Sequence, residues 1–330
     1  MTIKFNKVYV NGASTVTGPY ESNGPLSKYF DKSYSDLYMG AKTWEQAEMK
    51  ILGDSVDILL SKVKTLKEDV DLFISGDLLN QLVASNYTAA YLEIPFLGIY
   101  SACASSAEGI ILGSSLLSNN QINNCICSVS SHNTGAEKQF RNPTEYGAPK
   151  PKRSTFTCTG AASIYLSNKE SDIKIESGTI GKTIDLGIKD VFNMGAVMAP
   201  AAADTIYRHL TDLKREPLYY DLILTGDLGI YGKKILIDYM QTEYGLDISH
   251  NYNDCGVMLY DIEKQPVFAG ASGPASSALV TYSYILNKMR KGELGRVLLV
   301  ATGALMSPTT VNQHMTIPAI AHAVSLEVVE

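Results

Sequence analysis

The sequence predicts an α/β protein folded from two similar halves, and three observations carry that prediction. Short apolar runs alternate with helical stretches, two motifs recur in the same order, and one helix opens on a run of small residues. Val70 to Ser75, Cys125 to Ser130, Tyr220 to Thr225 and Arg296 to Thr302 read as buried strands. Helical periodicity falls at Trp44 to Lys64, Ser105 to Ser118, Pro200 to Leu213, Lys233 to Tyr244 and Ser276 to Arg290. This alternation favours mostly parallel sheets.

The repeat is ordered. Asp71-Leu-Phe-Ile-Ser-Gly-Asp77 returns as Asp221-Leu-Ile-Leu-Thr-Gly-Asp227, and Ser101-Ala-Cys-Ala-Ser-Ser-Ala107 returns as Ser272-Gly-Pro-Ala-Ser-Ser-Ala278. In each copy a helix, a short polar turn and another apolar strand follow. A tandem duplication accounts for this, with its boundary near residues 168 to 185 and halves of 1–175 and 176–330. The helix beginning at Ala104, with Gly109 and Gly113, has little bulk on any face, so it suits a place where backbones approach closely. If each half sets such a helix between two sheets, the layers run α-β-α-β-α. The first turn of that helix then lies at the centre, beside its second copy.

Composition excludes several classes. A hydrophobic fraction of 45% with 19% charged residues is that of a globular chain with a large core. A net charge of −6 offers no general attraction for nucleic acid or an anionic membrane. The basic run from Lys138 to Arg153 reads as a solvated loop. Five cysteines, an odd number without a CxxC pair or a signal core, point to reduced thiols in a cytosolic compartment. No cofactor is expected. The longest apolar run, Val297 to Met306, is about half of what a bilayer requires.

Cys103 stands at the turn from the strand-like Phe96 to Tyr100 into the small-residue helix. A thiol at a helix N-terminus is expected to have a lowered pKa, and the same N–H groups suit a ligand carboxylate. A buried structural thiol is the bland alternative.

The segment Tyr100-Ser-Ala-Cys-Ala-Ser-Ser-Ala107 followed by Gly109 resembles the nucleophile elbow of thiolases and β-ketoacyl-ACP synthases. Within that superfamily the whole chain resembles the stage V sporulation protein AD family. Gly12 to Pro19 and Ala301 to His322 carry the most particular part of the match. The resemblance implies a thiolase-like five-layer fold, and a homodimer formed through the edge of the first-half sheet.

Claisen chemistry through a cysteine needs His or Asn partners beside the sulfur. At the places where the superfamily carries them, this sequence has Gly226 and Pro274, and the loop Thr302 to Met306 lacks a cysteine. The site therefore reads as degenerate and non-catalytic, the alternative being an active acyltransferase using Cys103 with an unusual base. Each histidine reads as a satisfied structural residue, the alternative being a ligand role, for which His132 is the candidate because it follows the Cys125 strand, whose end could open on a central pocket. His209, amid charged neighbours, is expected at the surface. Asp254 reads as a turn residue, or else as a pocket-facing acceptor that a calcium-bearing ligand would suit. Ser307, in the C-terminal stretch of the resemblance, completes a candidate ligand set of Cys103, His132, Asp254 and Ser307.

What this family resemblance implies is a binder of dipicolinic acid, with calcium, for uptake into the developing spore. Its partners would be membrane proteins of the same transport set, at the cytoplasmic side of the inner spore membrane. A vestigial pocket on a purely structural subunit is the third possibility.

Overall fold

Two sets of five strands make the framework. The first comprises β1 (Tyr9–Thr17), β2 (Phe73–Gly76), β3 (Phe96–Gly98), β4 (Asn124–Ser131) and β5 (Gly160–Ser167). The second comprises β6 (Ile173–Thr179), β7 (Leu222–Thr225), β8 (Tyr252–Asp254), β9 (Arg296–Ala304) and β10 (Ala319–Val328). This computed structural model describes residues 1–140 and 150–329. Arg141 and Glu145 of the basic run lie outside the described residues.

The strand order is β3-β2-β4-β5-β1 in the first set and β8-β7-β9-β10-β6 in the second, the same path twice. In each set the first two neighbour pairs are parallel and the last two antiparallel. The sheets are therefore mixed rather than mostly parallel, because the first and last strands of each half lie side by side in opposite directions. The sets meet where β1 pairs with β6 at Tyr9 and Lys174. A short strand, Thr2–Lys4, pairs antiparallel with β6.

The helices are α1 (Trp44–Val63), α2 (Val83–Leu92), α3 (Ser105–Ser118), α4 (Asn133–Phe140), α5 (Met194–Leu213), α6 (Gly229–Tyr244), α7 (Cys255–Met258), α8 (Pro274–Leu279), α9 (Leu286–Arg290) and α10 (Pro308–Asn312). A wider π segment, Val280–Ile285, joins α8 to α9. Helices α1 and α2 cover the outside of the first set, and α5 and α6 that of the second. Helix α3 touches strands of both sets, which completes the layers α-β-α-β-α.

Local chemistry explains these elements. Thr43 caps α1 by accepting from the Gln46 N–H, and Lys64 ends it in the left-handed conformation. Ile51, Leu52, Val56 and Leu59 recur on its buried face. In α3 the glycines are needed for contact: a Cβ on Gly113 would come within 2.7 Å of the Cys125 sulfur. Ser106 and Ser277, equivalent residues of the two Ala-Ser-Ser-Ala copies, share a hydrogen bond of 2.6 Å. The first turns of the two small-residue helices thus meet at the centre of the molecule.

Three local expectations fail. Helix α5 begins six residues before Pro200, which sits inside it and is buried. Val257 to Tyr260 is not a strand; Asp254 caps a short helix there instead. His209 is fully buried, held by Thr179 at 2.7 Å and Tyr220 at 2.6 Å. Its neighbour Arg208 pairs with Asp204, while the buried ring sits beside a different pair: Arg215 reaches Tyr220 and also clamps Glu176 on β6 through two nitrogens. In the basic run, Lys138 pairs with Glu45, Lys150 with Glu137 and Arg153 with Asp190.

Glu21 ties the two halves together inside the core. Its Oε1 accepts from the Tyr260 hydroxyl and from the Thr159 N–H, while Oε2 is buried without a partner among the described residues. Burial pushes its pKa up to about 7 from 4.5. Between those values the native state holds a proton that the unfolded chain has lost, so stability falls as pH rises through that window. The full swing is about 3 kcal/mol. Urea denaturation at pH 5 and pH 8 is expected to show this loss, and Glu21→Gln to flatten it; equal slopes in both proteins would refute the assignment.

Candidate functional site

The site is built where strand β3 runs into α3. Ala102 adopts a left-handed conformation (φ 50°), and the Ala104 N–H closes the turn on the Ser101 carbonyl at 3.0 Å. Cys103 therefore precedes the helix, which begins at Ser105, rather than forming its first turn. The turn is packed from the second half by Gly303 of β9. A Cβ there would fall well under 3.0 Å from the Ser101 carbonyl oxygen. Only a glycine lets β9 pass this close.

The thiol faces the carboxyl of Asp227, with the Gly273 N–H and the Ser272 hydroxyl beside it. Asp227 is fully buried and accepts from Thr302 Oγ1 (2.6 Å), Ser272 Oγ (3.1 Å) and the Gly273 N–H (3.2 Å). Burial, and then the neighbouring Asp227 charge, push the Cys103 thiol well above its usual range. Burial likewise raises Asp227 itself. The expectation of a thiol acidified by the helix is thus reversed: desolvation and a facing carboxylate disfavour the thiolate more than the helix end favours it.

Sequence reasoning sought a partner at Gly226 and found none. The structure turns Gly226 toward Ser277 and Ala301, and brings the next residue, Asp227, to the sulfur. The signal was present in the repeat, where Asp77 and Asp227 close the two copies of one motif. Asp77 is buried too, but accepts from Leu79, Ser85 N and Ser85 Oγ within its own half. Pro274 is the first residue of α8, where its missing N–H costs nothing, and Gly273 before it has φ 99°.

A cleft of about 240 Å³ lies between the Leu78–Leu82 turn, Tyr100 and the Met306–Pro308 loop. Leu78 belongs both to its wall and to the apolar cluster around the thiol with Ala102, Ala136 and Leu305. Asn80, Gln81, Tyr100 and Ser307 supply its polar groups, and Leu79, Leu82, Met306 and Pro308 join Leu78 as its apolar ones. Burial pushes the Tyr100 phenol up to about 12, so it faces the cleft as a hydrogen-bonding hydroxyl.

Of the candidate ligand residues, the structure places only Ser307 on the wall of this cleft; Cys103 lies behind it, in the cluster that shares Leu78, and His132 and Asp254 are away from its walls. Ser307 caps α10 through the Thr310 N–H at 3.2 Å. The ring of His132 is turned to the Leu37 carbonyl at 2.7 Å, and its Nδ1 accepts from the Gly135 N–H at 3.3 Å. Both nitrogens are engaged by backbone, which corrects its inclusion in the candidate ligand set. Asp254 accepts from Thr225 Oγ1 and from the N–H groups of Leu228, Gly229 and Val257, so it organises the loop behind Asp227. Burial raises its pKa to about 6.

His322, on β10, lies on the far side of the elbow. Its Nδ1 accepts from the Gly181 N–H (3.2 Å), which leaves Nε2–H to donate to Ser101 Oγ (3.3 Å). In that tautomer it cannot deprotonate Ser101. Among the described residues no three His, Cys, Asp or Glu side chains converge as metal ligands, and no helix is long and apolar enough to cross a membrane.

Solved structures share this architecture. The chain superposes on 3-oxoacyl-[acyl-carrier-protein] synthase III of Aquifex aeolicus VF5 with a TM-score of 0.57 at 11% identity, covering 97% of this chain and 99% of the other. With a cerulenin-bound form of OleA from Xanthomonas campestris the TM-score is 0.61 at 14% identity, covering 98% of each chain. At such identities these matches establish the thiolase-like fold alone. Stage V sporulation protein AD of Bacillus subtilis (strain 168) is 48% identical over 320 residues, which cover 97% of this chain and 94% of that one. The family description Stage V sporulation protein AD (SpoVAD) matches residues 1–327, so the chain belongs to the stage V sporulation protein AD family.

Proposed function

We propose that this chain is a non-catalytic binding protein of sporulation that holds dipicolinic acid, together with calcium, in the cleft lined by Tyr100 and Ser307, which shares Leu78 with the cluster around Cys103. The observation that carries the reading is the pairing of the elbow cysteine with a buried carboxylate. A nucleophilic cysteine needs a neighbour that withdraws its proton or stabilises the thiolate, and Asp227 opposes the thiolate by charge. What remains is a small cleft with hydrogen-bonding groups at its rim. Its volume lies just below the usual range for ligand pockets and suits a single-ring molecule. Asn80, Gln81, Tyr100 and Ser307 would contact the two carboxylates, and Leu78, Met306 and Pro308 the ring.

Uptake into the spore would follow through membrane partners of the same sporulation set, with the chain held at the cytoplasmic face of the inner spore membrane. A homodimer would form through β3, which ends the first set and carries the exposed Leu97.

Calorimetric titration of dipicolinate, with and without calcium, into the parent protein and Cys103→Ala tests this. Saturable binding, weakened by the substitution, is expected. No heat from either protein would reject the reading. The retained elbow cysteine favours one second reading, an acyltransferase; stable acylation of Cys103 by an acyl-CoA would establish it instead.

A further inference from the structure

The two halves join the same elements by connections of different length. In the second half Asp227 follows β7, and α6 begins at Gly229 with Leu228 alone between them. In the first half Asp77 follows β2, yet α2 begins only at Val83. The five residues between, Leu78 to Leu82, form an added turn, and every one of them lines the cleft of about 240 Å³. The second half makes this connection without such a turn, so the fold itself does not require it.

The turn is held under strain. Gln81 and Leu82 are consecutive non-glycine residues, each with φ 58°. The left-handed region is unfavourable for such residues, and they stay there only where surrounding contacts impose it. Asp77 grips both ends, accepting from the Leu79 N–H at 2.9 Å and from the Ser85 N–H at 2.8 Å. Leu79 pins the base, buried in one apolar cluster with Ile51 and Ala84. The exposed tip has lighter fastenings: Asn86 Nδ2 donates to the Gln81 carbonyl at 2.7 Å, and Gln139 Oε1 on α4 accepts from the Asn80 N–H at 3.0 Å. Leu78 is the one described residue common to the cleft wall and the apolar cluster around the Cys103 thiol.

We infer that the Leu78–Leu82 turn is a lid: when its tip lifts from Gln139, Leu78 withdraws and the cleft becomes continuous with the space at the Cys103 thiol. Lifting lets Gln81 and Leu82 leave the left-handed region, and this relief offsets the lost Asn80–Gln139 bond, whose net worth is modest. The closed and open forms are therefore close in energy, as a lid requires. The movement depends on no particular ligand, so the thiol reports it in the ligand-free protein, whatever molecule the cleft holds.

The test is alkylation of Cys103 by iodoacetamide in the ligand-free full chain, read by peptide mass spectrometry that separates it from the other four cysteines. Gln81→Gly relieves one left-handed residue in the closed form and should slow the reaction about fivefold. Gln139→Ala removes the fastening of the tip and should speed it about fivefold. Leu78→Ala removes the barrier, and in that background Gln81→Gly should leave the rate within about twofold, the strain relief now having no gate to act on. Asp227, Ser272 and Gly273 are untouched in every variant, so the thiol keeps its own acidity. Hydrogen exchange at the Leu82 N–H, which donates to the Leu79 carbonyl at 3.0 Å, should follow the same order as alkylation. Gln81→Gly and Gln139→Ala reacting at the parent's rate would overturn the inference. So would rates that simply follow the variants' melting temperatures, or an undiminished effect of Gln81→Gly beside Leu78→Ala.

Discussion

Asp227→Asn is expected to turn Cys103 from an inert thiol into a reactive one. In the parent protein the thiol faces a buried carboxyl that also receives Thr302, Ser272 and the Gly273 N–H. Asparagine retains an acceptor oxygen for part of that set but removes the negative charge. A charge in contact with a titrating group shifts its pKa by roughly 1–3 units, and a like charge beside a thiol shifts it upward. Each unit is a tenfold change in thiolate fraction, so alkylation by iodoacetamide at pH 8 should accelerate by about 10- to 1000-fold. The parent's alkylation rate should keep rising with pH beyond 9, while the variant's levels off earlier. Urea denaturation of both proteins separates this from simple loosening: a faster rate that merely tracks lost stability would count against the assignment. Equal rates at equal stability would remove Asp227 as the group that silences the thiol.

Gly303→Ala should have the largest effect on folding among single-methyl changes at the site. The new Cβ would be driven into the Ser101 carbonyl oxygen, with the N–H groups of Cys103 and Ala104 also within 3.3 Å. Neither side can yield easily. Ser101 is fixed by the turn that places Ala102 in its left-handed conformation, and β9 is paired along its length with β10 and, over Val297–Val300, with β7. Overpacking of this kind costs about 3 kcal/mol. The expected result is a lower urea midpoint with an unchanged slope. A variant as stable as the parent would show that the elbow is softer than its packing implies.

The sequence revealed the elements that repeat and those with uniform chemistry. Ser105 to Ser118 was legible because its small residues leave no alternative to a buried helix, and the paired Asp-Gly and Ala-Ser-Ser-Ala motifs exposed the duplication. The partner of Cys103 was not legible. Whether Gly226 or Asp227 meets the sulfur depends on a shift of one residue at the end of β7, and composition does not fix such a shift. His209 was misplaced for a related reason. Its neighbours Arg208 and Asp212 are polar, but its burial depends on Thr179, Tyr220 and the Glu176–Arg215 pair, which distant segments bring together. Pro200 misled because a proline usually opens a helix, whereas here tertiary packing of α5 outweighs its lost hydrogen bond. His132 was correctly placed at the end of its strand, but the backbone of Leu37, far away in sequence, claims its ring.

The pairing of Thr2–Lys4 with β6 has a consequence for how the chain is made. These residues leave the ribosome long before their strand partners at Ser177 to Thr179, and β1 awaits β5 at Gly160–Ser167. Synthesis must pass the middle of the chain before these early strands can settle, so the first half emerges with an unzipped edge. Severed after β5, that half would be left with its opening segment unmatched. The opening segment of the chain thus finds its only strand partner in the strand that begins the second set, among the described residues.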